Sequence, residues 1–506
     1  MNIKKKMKKW ITFILLSIMA LSCTEKFEVL NTNPNSPVDV PAINIFANAA
    51  WKSVYREGYT MALHGVSLWC QHFAKVQYLD EDRYAYREDN INSNWENSYS
   101  AELMDLKIVI DKAQEDGFPN LEAMGRILKA RTFLRMTDLW GDIPYSEAFT
   151  GTNITPAYDT QESIYTDLIS ELKLAISLID ANAEDVSLIA SGDIIYDGDL
   201  AQWKKFANSL LLRIYIHISG VDPTTAQTGI EAIVTDGNIF SSNDDDAQLN
   251  WLSDKAYWNP LYEWNYERTD YAASKTLIDL LQDRSDPRLP IYAQDIDADI
   301  GGGTDGVETT YVGQINGDTG SGPQITTVSL IGKKPGYTSD QPQYMMTYAE
   351  VQFILAEAAL NGWSVGGTAE SYYNAGIEAS MLKWGVTSAD VTTYLSHSLV
   401  AYDNTKAEEQ IGTQKWLALY TQGVEGFTEV RRTGYPAVIE SYELPATKYP
   451  GLGVPLRFPY PLSESSRNAA NYNSATAGIH DDMYGKPLWW DTRTTKADGN
   501  ARLGID

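Results

Sequence analysis

Apolar and polar residues recur with helical spacing from about residue 41 to 219. Leu121, Met124, Ile127, Leu128, Ala130 and Leu134 are one such set, separated by polar positions, and they predict a helix with one face against a core. A second helical block covers 345–359, 368–384 and 409–429, with Tyr348, Val351, Phe353, Leu355 and Ala358 as its clearest apolar set. Between the blocks, 236–344 is rich in Gly, Asp, Asn, Pro and aromatic residues, and Gly301-Gly302-Gly303 is its strongest break. Residues 435–506 have the same loop-like composition. The pattern therefore predicts a mainly α protein, with helical blocks at 41–219 and 345–430 and loop-rich segments at 236–344 and 435–506. Successive helix pairs suggest tetratricopeptide-like packing, in which each pair buries its face against its neighbours. No regular period of about 34 residues is legible, so an irregular α-rich domain is the alternative.

The beginning of the chain has a different pattern. Lys4, Lys5, Lys6, Lys8 and Lys9 precede an uncharged stretch from 10 to 21, the order of a signal peptide. Twelve such residues rise about 18 Å as a helix, short of the roughly 20 residues that a membrane span needs. The stretch ends in Ala20-Leu21-Ser22-Cys23, which resembles the lipobox at which bacterial lipoproteins are cleaved and acylated, with Ala20 where leucine is usual. These features divide the chain into a signal peptide at 1–22, a tether at 23–40 that is rich in turn residues, and one folded body at 41–506. With Cys23 acylated, Cys70 has no cysteine partner and is expected to be a buried small hydrophobe.

Charge narrows the partners. Removal of residues 1–22 takes away five lysines and no acid, so the formal charge moves from −27 to −32. Nucleic acid and anionic membrane surfaces are poor partners for such a chain. The acidic residues are spread along the sequence, as on a solvated surface.

Three segments carry a family resemblance. The first runs from Ala130-Arg131-Thr132-Phe133 to Leu139-Trp140-Gly141-Asp142-Ile143-Pro144-Tyr145, where Gly141 permits a helix end and Pro144 prevents the helix from resuming. The second is Tyr348-Ala349-Glu350-Val351-Gln352-Phe353-Ile354-Leu355-Ala356-Glu357-Ala358. The third links Gln414-Lys415-Trp416, Glu425-Gly426-Phe427, Arg431-Arg432-Thr433-Gly434 and Arg457-Phe458-Pro459-Tyr460-Pro461, followed by Asn468 and Asn471. In order and spacing these resemble the SusD/RagB family of nutrient-binding lipoproteins, in particular its starch-binding-like branch. The resemblance implies four tetratricopeptide-like helix pairs, with a ligand face built by inserted loops. It also implies a place on the outer face of the outer membrane, a SusC-like TonB-dependent transporter as partner, and capture of oligosaccharides or related nutrients without cleavage.

The residues themselves offer little catalytic chemistry. Glu350 and Glu357 lie two helical turns apart, with Cα atoms roughly 10.5 Å from each other, beyond the roughly 6.5–9.5 Å usual between the carboxyl groups of inverting glycosidases. Glutamates bonded to neighbouring helices are the simpler reading. The five histidines, His64, His72, His217, His397 and His480, form no metal-binding spacing. Asp295, Asp297 and Asp299 alternate like the start of a calcium loop, but Ile300 and Gly306 stand where its glycine and glutamate belong. Asp244-Asp245-Asp246 reads as a solvated acidic loop. No cofactor or metal is expected. A surface glycoside hydrolase and a protein-binding scaffold remain the alternative functions.

The strongest candidate chemistry is aromatic. Trp251, Tyr257, Trp258, Tyr262, Trp264, Tyr266 and Tyr271 place seven aromatics in 21 residues, where a chain average of 11% predicts about two. Asn250, Asp254, Asn259, Glu263, Asn265, Glu267, Arg268 and Asp270 are interleaved with them. Sugar rings present apolar C–H faces and hydroxyls, which suit flat aromatics beside amides, carboxylates and arginine. Trp251, Trp258, Trp264, Tyr266 and Arg268 are the candidates here, and packing in the core is the competing role for each aromatic. Tyr84, Tyr86, Asn94, Trp95 and Tyr99 form a second set, in a region that the resemblance associates with the ligand face; Trp95 and Tyr99 are its candidates. Trp489-Trp490 fits a third site or an anchor for the C-terminal segment.

Overall fold

The computed structural model describes residues 40–58, 65–296, 310–318, 325–440, 454–477, 479, 483 and 486–492. Cys23, the signal peptide, His64, Asp297, Asp299, Gly301-Gly302-Gly303, Ile300, Gly306 and His480 lie outside them. Helices of eight or more residues are numbered α1 Ala42–Arg56, α2 Glu88–Asn97, α3 Met104–Asp116, α4 Pro119–Trp140, α5 Gln161–Leu178, α6 Leu200–His217, α7 Pro223–Asp236, α8 Pro260–Glu267, α9 Lys275–Asp283, α10 Tyr348–Leu360, α11 Ala369–Trp384, α12 Ser388–Leu395, α13 Ala407–Ala418 and α14 Gly423–Thr433. Among the described residues, no helix is long and apolar enough to cross a membrane.

Four consecutive pairs, α3/α4, α6/α7, α10/α11 and α13/α14, are each joined by a short connection and packed face to face. This is the tetratricopeptide-like architecture that the pattern suggests. Helix α5 lies between α4 and α6, and α10 bridges α6 and α13; one face of α10 joins the main core, while Phe353, Tyr373, Ile377, Val391 and Ile411 form a second cluster between α10, α11, α12 and α13. Local chemistry fixes the ends. The Asp199 side chain accepts from the Ala201 and Gln202 amides, and the Asp222 side chain accepts from the Thr225 amide ahead of Pro223, so each carboxylate satisfies helix-start donors. Gly141 ends α4 at φ 81° and ψ −121°, a conformation that a side chain would strain.

Almost the whole circumference of α4 is buried, including Arg131, Arg135 and Asp138. Charges are tolerated there because each is paired. Arg131 reaches Glu57, and Arg135 donates to Glu102 at 2.7 Å.

The segment 236–344 departs from its loop-rich expectation, because it contains α8 and α9. Asn259 caps α8, its side-chain oxygen accepting from the Leu261 and Tyr262 amides, and Pro260 occupies the first turn. Eight residues rich in aromatics give a weak periodic signal, and aromatics have only middling helix propensity. Among the described residues, besides shorter helical turns, strands form three antiparallel two-stranded ladders: β1 Phe73–Lys75 with β5 Tyr271–Ala273, β2 Ile143–Pro144 with β3 Tyr158–Asp159, and β4 Ala247–Leu249 with β6 Gln343–Met346.

Cys70 is fully buried, and burial pushes its thiol up to about 12, as expected for a small core residue. Trp490 is buried too, and its indole N–H donates to Asp138 at 2.9 Å, so this tryptophan anchors the C-terminal segment.

Candidate functional site

Helix α8 turns two unlike faces to its surroundings. Leu261 and Asn265 are buried, and the Asn265 amide donates to the Gly336 carbonyl at 3.0 Å. The Asn259 amide side chain donates to the Gln341 carbonyl at 2.8 Å, and its backbone N–H donates to Ser339 at 2.7 Å. The segment 336–341 thus holds α8 rigidly from below. On the other face Tyr262 and Tyr266 lie one turn apart, and Trp258, in extended backbone just before the Asn259 cap, folds against both, so the three rings form a compact cluster. Their ring centroids are 4.9 Å apart for Trp258 and Tyr262, and 5.0 Å apart for Trp258 and Tyr266. Tyr262 and Tyr266 are 5.8 Å apart with planes tilted by 36°. Tyr266 is 61% exposed, and Tyr257 and Leu252 beside it are about half exposed.

A second tier lies at the C-terminal end of α8. The β1/β5 ladder sets 76–78 beside 268–270, where the Gln77 amide donates to Asp270 at 2.7 Å. The Arg268 guanidinium lies 4.5 Å from the Tyr78 ring centroid and 5.3 Å from that of Trp264, and pairs with Asp270 at 2.5 Å. The guanidinium is thus near both rings while about half of the side chain stays in water. Tyr78 is 54% exposed.

The sequence candidates therefore divide. Trp258 packs against the exposed Tyr266, whereas Arg268 lies over Tyr78 and the half-buried Trp264. Trp251 does not join them as a platform. It is 3% exposed, packed edge-on against Trp51 and Tyr55 at 6.3 and 6.1 Å. Trp95 lies away from the Trp258 cluster, 4% exposed and edge-on to Trp140 at 5.3 Å, and with Tyr99 it lines a separate cavity of about 510 Å³ beside Phe149 and Ile154. Tyr99 packs 5.3 Å from Trp95 and donates its hydroxyl to the Pro144 carbonyl at 2.7 Å. Tyr84 and Asn94 are also buried. Two surface residues escaped selection. Tyr262 was legible from its spacing to Trp258 and Tyr266, whereas Tyr78 reaches the site only through strand pairing and has no local signal.

Both carboxylates of α10 are held by arginines, and Glu357 with Lys415, Glu429 and Arg432 also lines a cavity of about 210 Å³. Glu350 takes two bonds of 2.6 Å from Arg213, and Glu357 takes bonds of 2.6 and 2.5 Å from Arg432. Around them His217 lies 2.9 Å from Glu425, while Lys415 and Arg432 pair with Glu429 at 3.1 and 2.8 Å. His217, Glu425 and Glu429 are close enough to suggest a metal cluster. Burial alone would lower His217, but Glu425 and Asp138 outweigh it and raise the imidazole to about 9. Its proton and the three neighbouring cations occupy the carboxylates that a metal would need. Asp245 and Asp246 are similarly engaged, Asp245 with Lys205 at 2.8 Å and Asp246 with the Tyr348 amide at 2.6 Å.

Helix pairs packed in series, a network of paired charges among them and an aromatic cluster at a short helix define an α-helical, tetratricopeptide-like architecture. Solved structures share it. A chitin-binding protein is 28% identical, with a TM-score of 0.76 over 90% of this chain and 100% of that one. A SusD homologue from Bacteroides uniformis is 25% identical, with a TM-score of 0.75 over 90% of this chain and 100% of that one. A chitin-binding SusD homologue from Flavobacterium johnsoniae shares the fold at 24% identity and a TM-score of 0.77, over 90% and 99% of the two chains. No match was found among curated proteins. Residues 34–461 match the SusD-like family described as starch-binding and associating with the outer membrane, and the chain belongs to that family.

Proposed function

We propose that this protein captures oligosaccharides at the cell surface, without cleaving them, and hands them to a SusC-like TonB-dependent transporter. The observation that carries the reading is the cluster of Trp258, Tyr262 and Tyr266 at a helix, α8, whose opposite face is locked to the body. Rigid rings fixed before a ligand arrives lose little entropy on binding, and the neighbouring Arg268, Glu263 and Glu267 supply hydroxyl partners. Chitin binding by a 28% identical protein supports a carbohydrate ligand. The arginine clamps on Glu350 and Glu357 support a binding role over hydrolysis.

Attachment follows from the N-terminal pattern: cleavage behind Ser22, acylation of Cys23, and a tether that leaves the body outside the outer membrane. The test combines affinity and turnover. Trp258→Ala is expected to lose about 1–3 kcal/mol of glycan binding, by analogy with bases stacked on aromatics, with little change in melting temperature. Mild detergent extraction is expected to recover the protein with a large β-barrel partner. Release of shortened sugars from a bound oligosaccharide would defeat the non-catalytic reading.

A further inference from the structure

The solvent side of α8 carries charge as well as rings. At about 100° per residue, Tyr262, Tyr266, Glu263 and Glu267 share the side of the helix turned away from the buried Leu261 and Asn265. Glu263 and Glu267 lie one turn apart, and like charges at that spacing repel each other. Among the described residues neither is paired with a cation, and the Glu263 carboxylate accepts from the Tyr55 hydroxyl at 3.4 Å.

The same carboxylate joins the ring cluster to a second pair of aromatics. Tyr55 stacks on Trp51, with centroids 4.7 Å apart and planes at 17°. Glu263 thus stands between that stack and Tyr266, whose Cβ one helical turn along is about 5–6 Å away. Glu267 follows Tyr266 directly in the chain. A ligand group resting on Tyr266 is therefore within reach of both carboxylates.

Aromatic faces beside carboxylates without cations suit a positive group, because the ring quadrupole and the negative charge attract it together. The protein's own side chains already use these rings in that way. The Lys255 ammonium lies 5.6 Å from the centroid of Trp258. Arg268, held by Asp270 over Tyr78 and Trp264, leaves the two glutamates without a counter-charge. With 67 acidic and 40 basic residues, the field of the whole chain also favours the approach of cations.

We infer that the ring cluster takes glycans whose sugars carry free amines, with a protonated amine held between Tyr266 and the carboxylates of Glu263 and Glu267. The inference rests on the ring cluster being the glycan platform. Lys255 is then an internal competitor, a cation near the Trp258 face before any ligand arrives.

The test uses the full chain purified without its lipid, at mildly acidic pH where free sugar amines are protonated. Calorimetry compares glucosamine oligosaccharides, their N-acetylated counterparts, malto-oligosaccharides and an oligolysine of matching charge. The amine set is expected to bind about tenfold more tightly than its acetylated counterpart, a preference that raised sodium chloride weakens. Glu263→Gln and Glu267→Gln should each reduce that preference about threefold. Lys255→Met should raise affinity for the amine set, a direction that damage to the fold would not produce, and melting temperatures check that each variant is intact. Equal or tighter binding of the neutral sets, lost in Trp258→Ala and with no change of preference in the glutamine variants, would overturn the amine inference and leave the platform standing. Oligolysine binding as tightly as the amine set would show that charge alone is read, and would also overturn it. Binding of none of the four probes would overturn both readings.

Discussion

The indole N–H of Trp140 donates to the carbonyl of Pro459 at 2.9 Å, across a separation of 319 residues. This bond is one of several that join the end of α4 to the segment 457–461. The Phe458 amide donates to Leu139 at 2.7 Å, the Tyr460 hydroxyl to Asp142 at 2.6 Å, and the Arg457 guanidinium to the carbonyl of Trp140 itself. Arg431 of α14 completes the junction, with bonds to the Leu456 and Asp138 carbonyls at 2.9 and 2.8 Å. The residues that carry the family resemblance are thus mainly those that lock distant parts of the chain together. The cluster of Trp258, Tyr262 and Tyr266 lies apart from this lock, at the short helix α8, where it can change without disturbing the frame.

Removal of Arg432 is expected to destabilise the protein severely. Arg432→Met leaves Glu357 and Glu429 facing each other without the guanidinium that bridges them, and breaking one side of a buried ion pair costs about 3–5 kcal/mol. Chemical denaturation checks this. A loss below about 1 kcal/mol would show that water replaces the arginine at little cost.

Aromatics of the surface and of the core should separate cleanly. Trp95→Ala and Trp251→Ala remove buried rings and are expected to cost about 3–5 kcal/mol of stability. Tyr266→Ala and Tyr78→Ala remove exposed rings and should change melting temperature little while weakening glycan binding. Equal melting temperatures for all four variants would contradict this division.

Stability should decline as pH rises from about 6.5 through 9, and His217 is one source. Its folded value of about 9 lies above the ordinary 6.5, so the folded state holds the proton more tightly than the unfolded chain. The stabilisation is fully present below 6.5 and is lost as pH passes 9. In His217→Gln the dependence over this window should flatten, measured as the slope of unfolding free energy against pH. An unchanged slope would assign it to other groups.

Cys23→Ala is expected to abolish the lipid attachment and leave the protein uncleaved or released from the membrane fraction. Intact-mass measurement of the mature N-terminus reads the outcome directly. Unchanged membrane fractionation with no lipid mass on the wild-type chain would refute the anchor.

The helical frame was legible in the sequence because it rests on local rules. The apolar set from Leu121 to Leu134 fixes one face of a helix by spacing alone, and Gly141 with Pro144 marks where α4 must stop. Glu350 and Glu357 could be recognised as structural glutamates, but their partners could not be named, because Arg213 is 137 residues from Glu350 and Arg432 is 75 from Glu357. The aromatic enrichment of 251–271 was equally plain, whereas exposure depends on what the rest of the chain places over each ring. Trp51 and Tyr55 of α1 cover Trp251, and the junction around Trp140 covers Trp95. Tyr78 comes to lie against Arg268 only because β1 pairs with β5. Periodicity, capping and turn chemistry act between near neighbours and can be read along the chain, while burial and long-range pairing are properties of surfaces that exist only after the chain has packed.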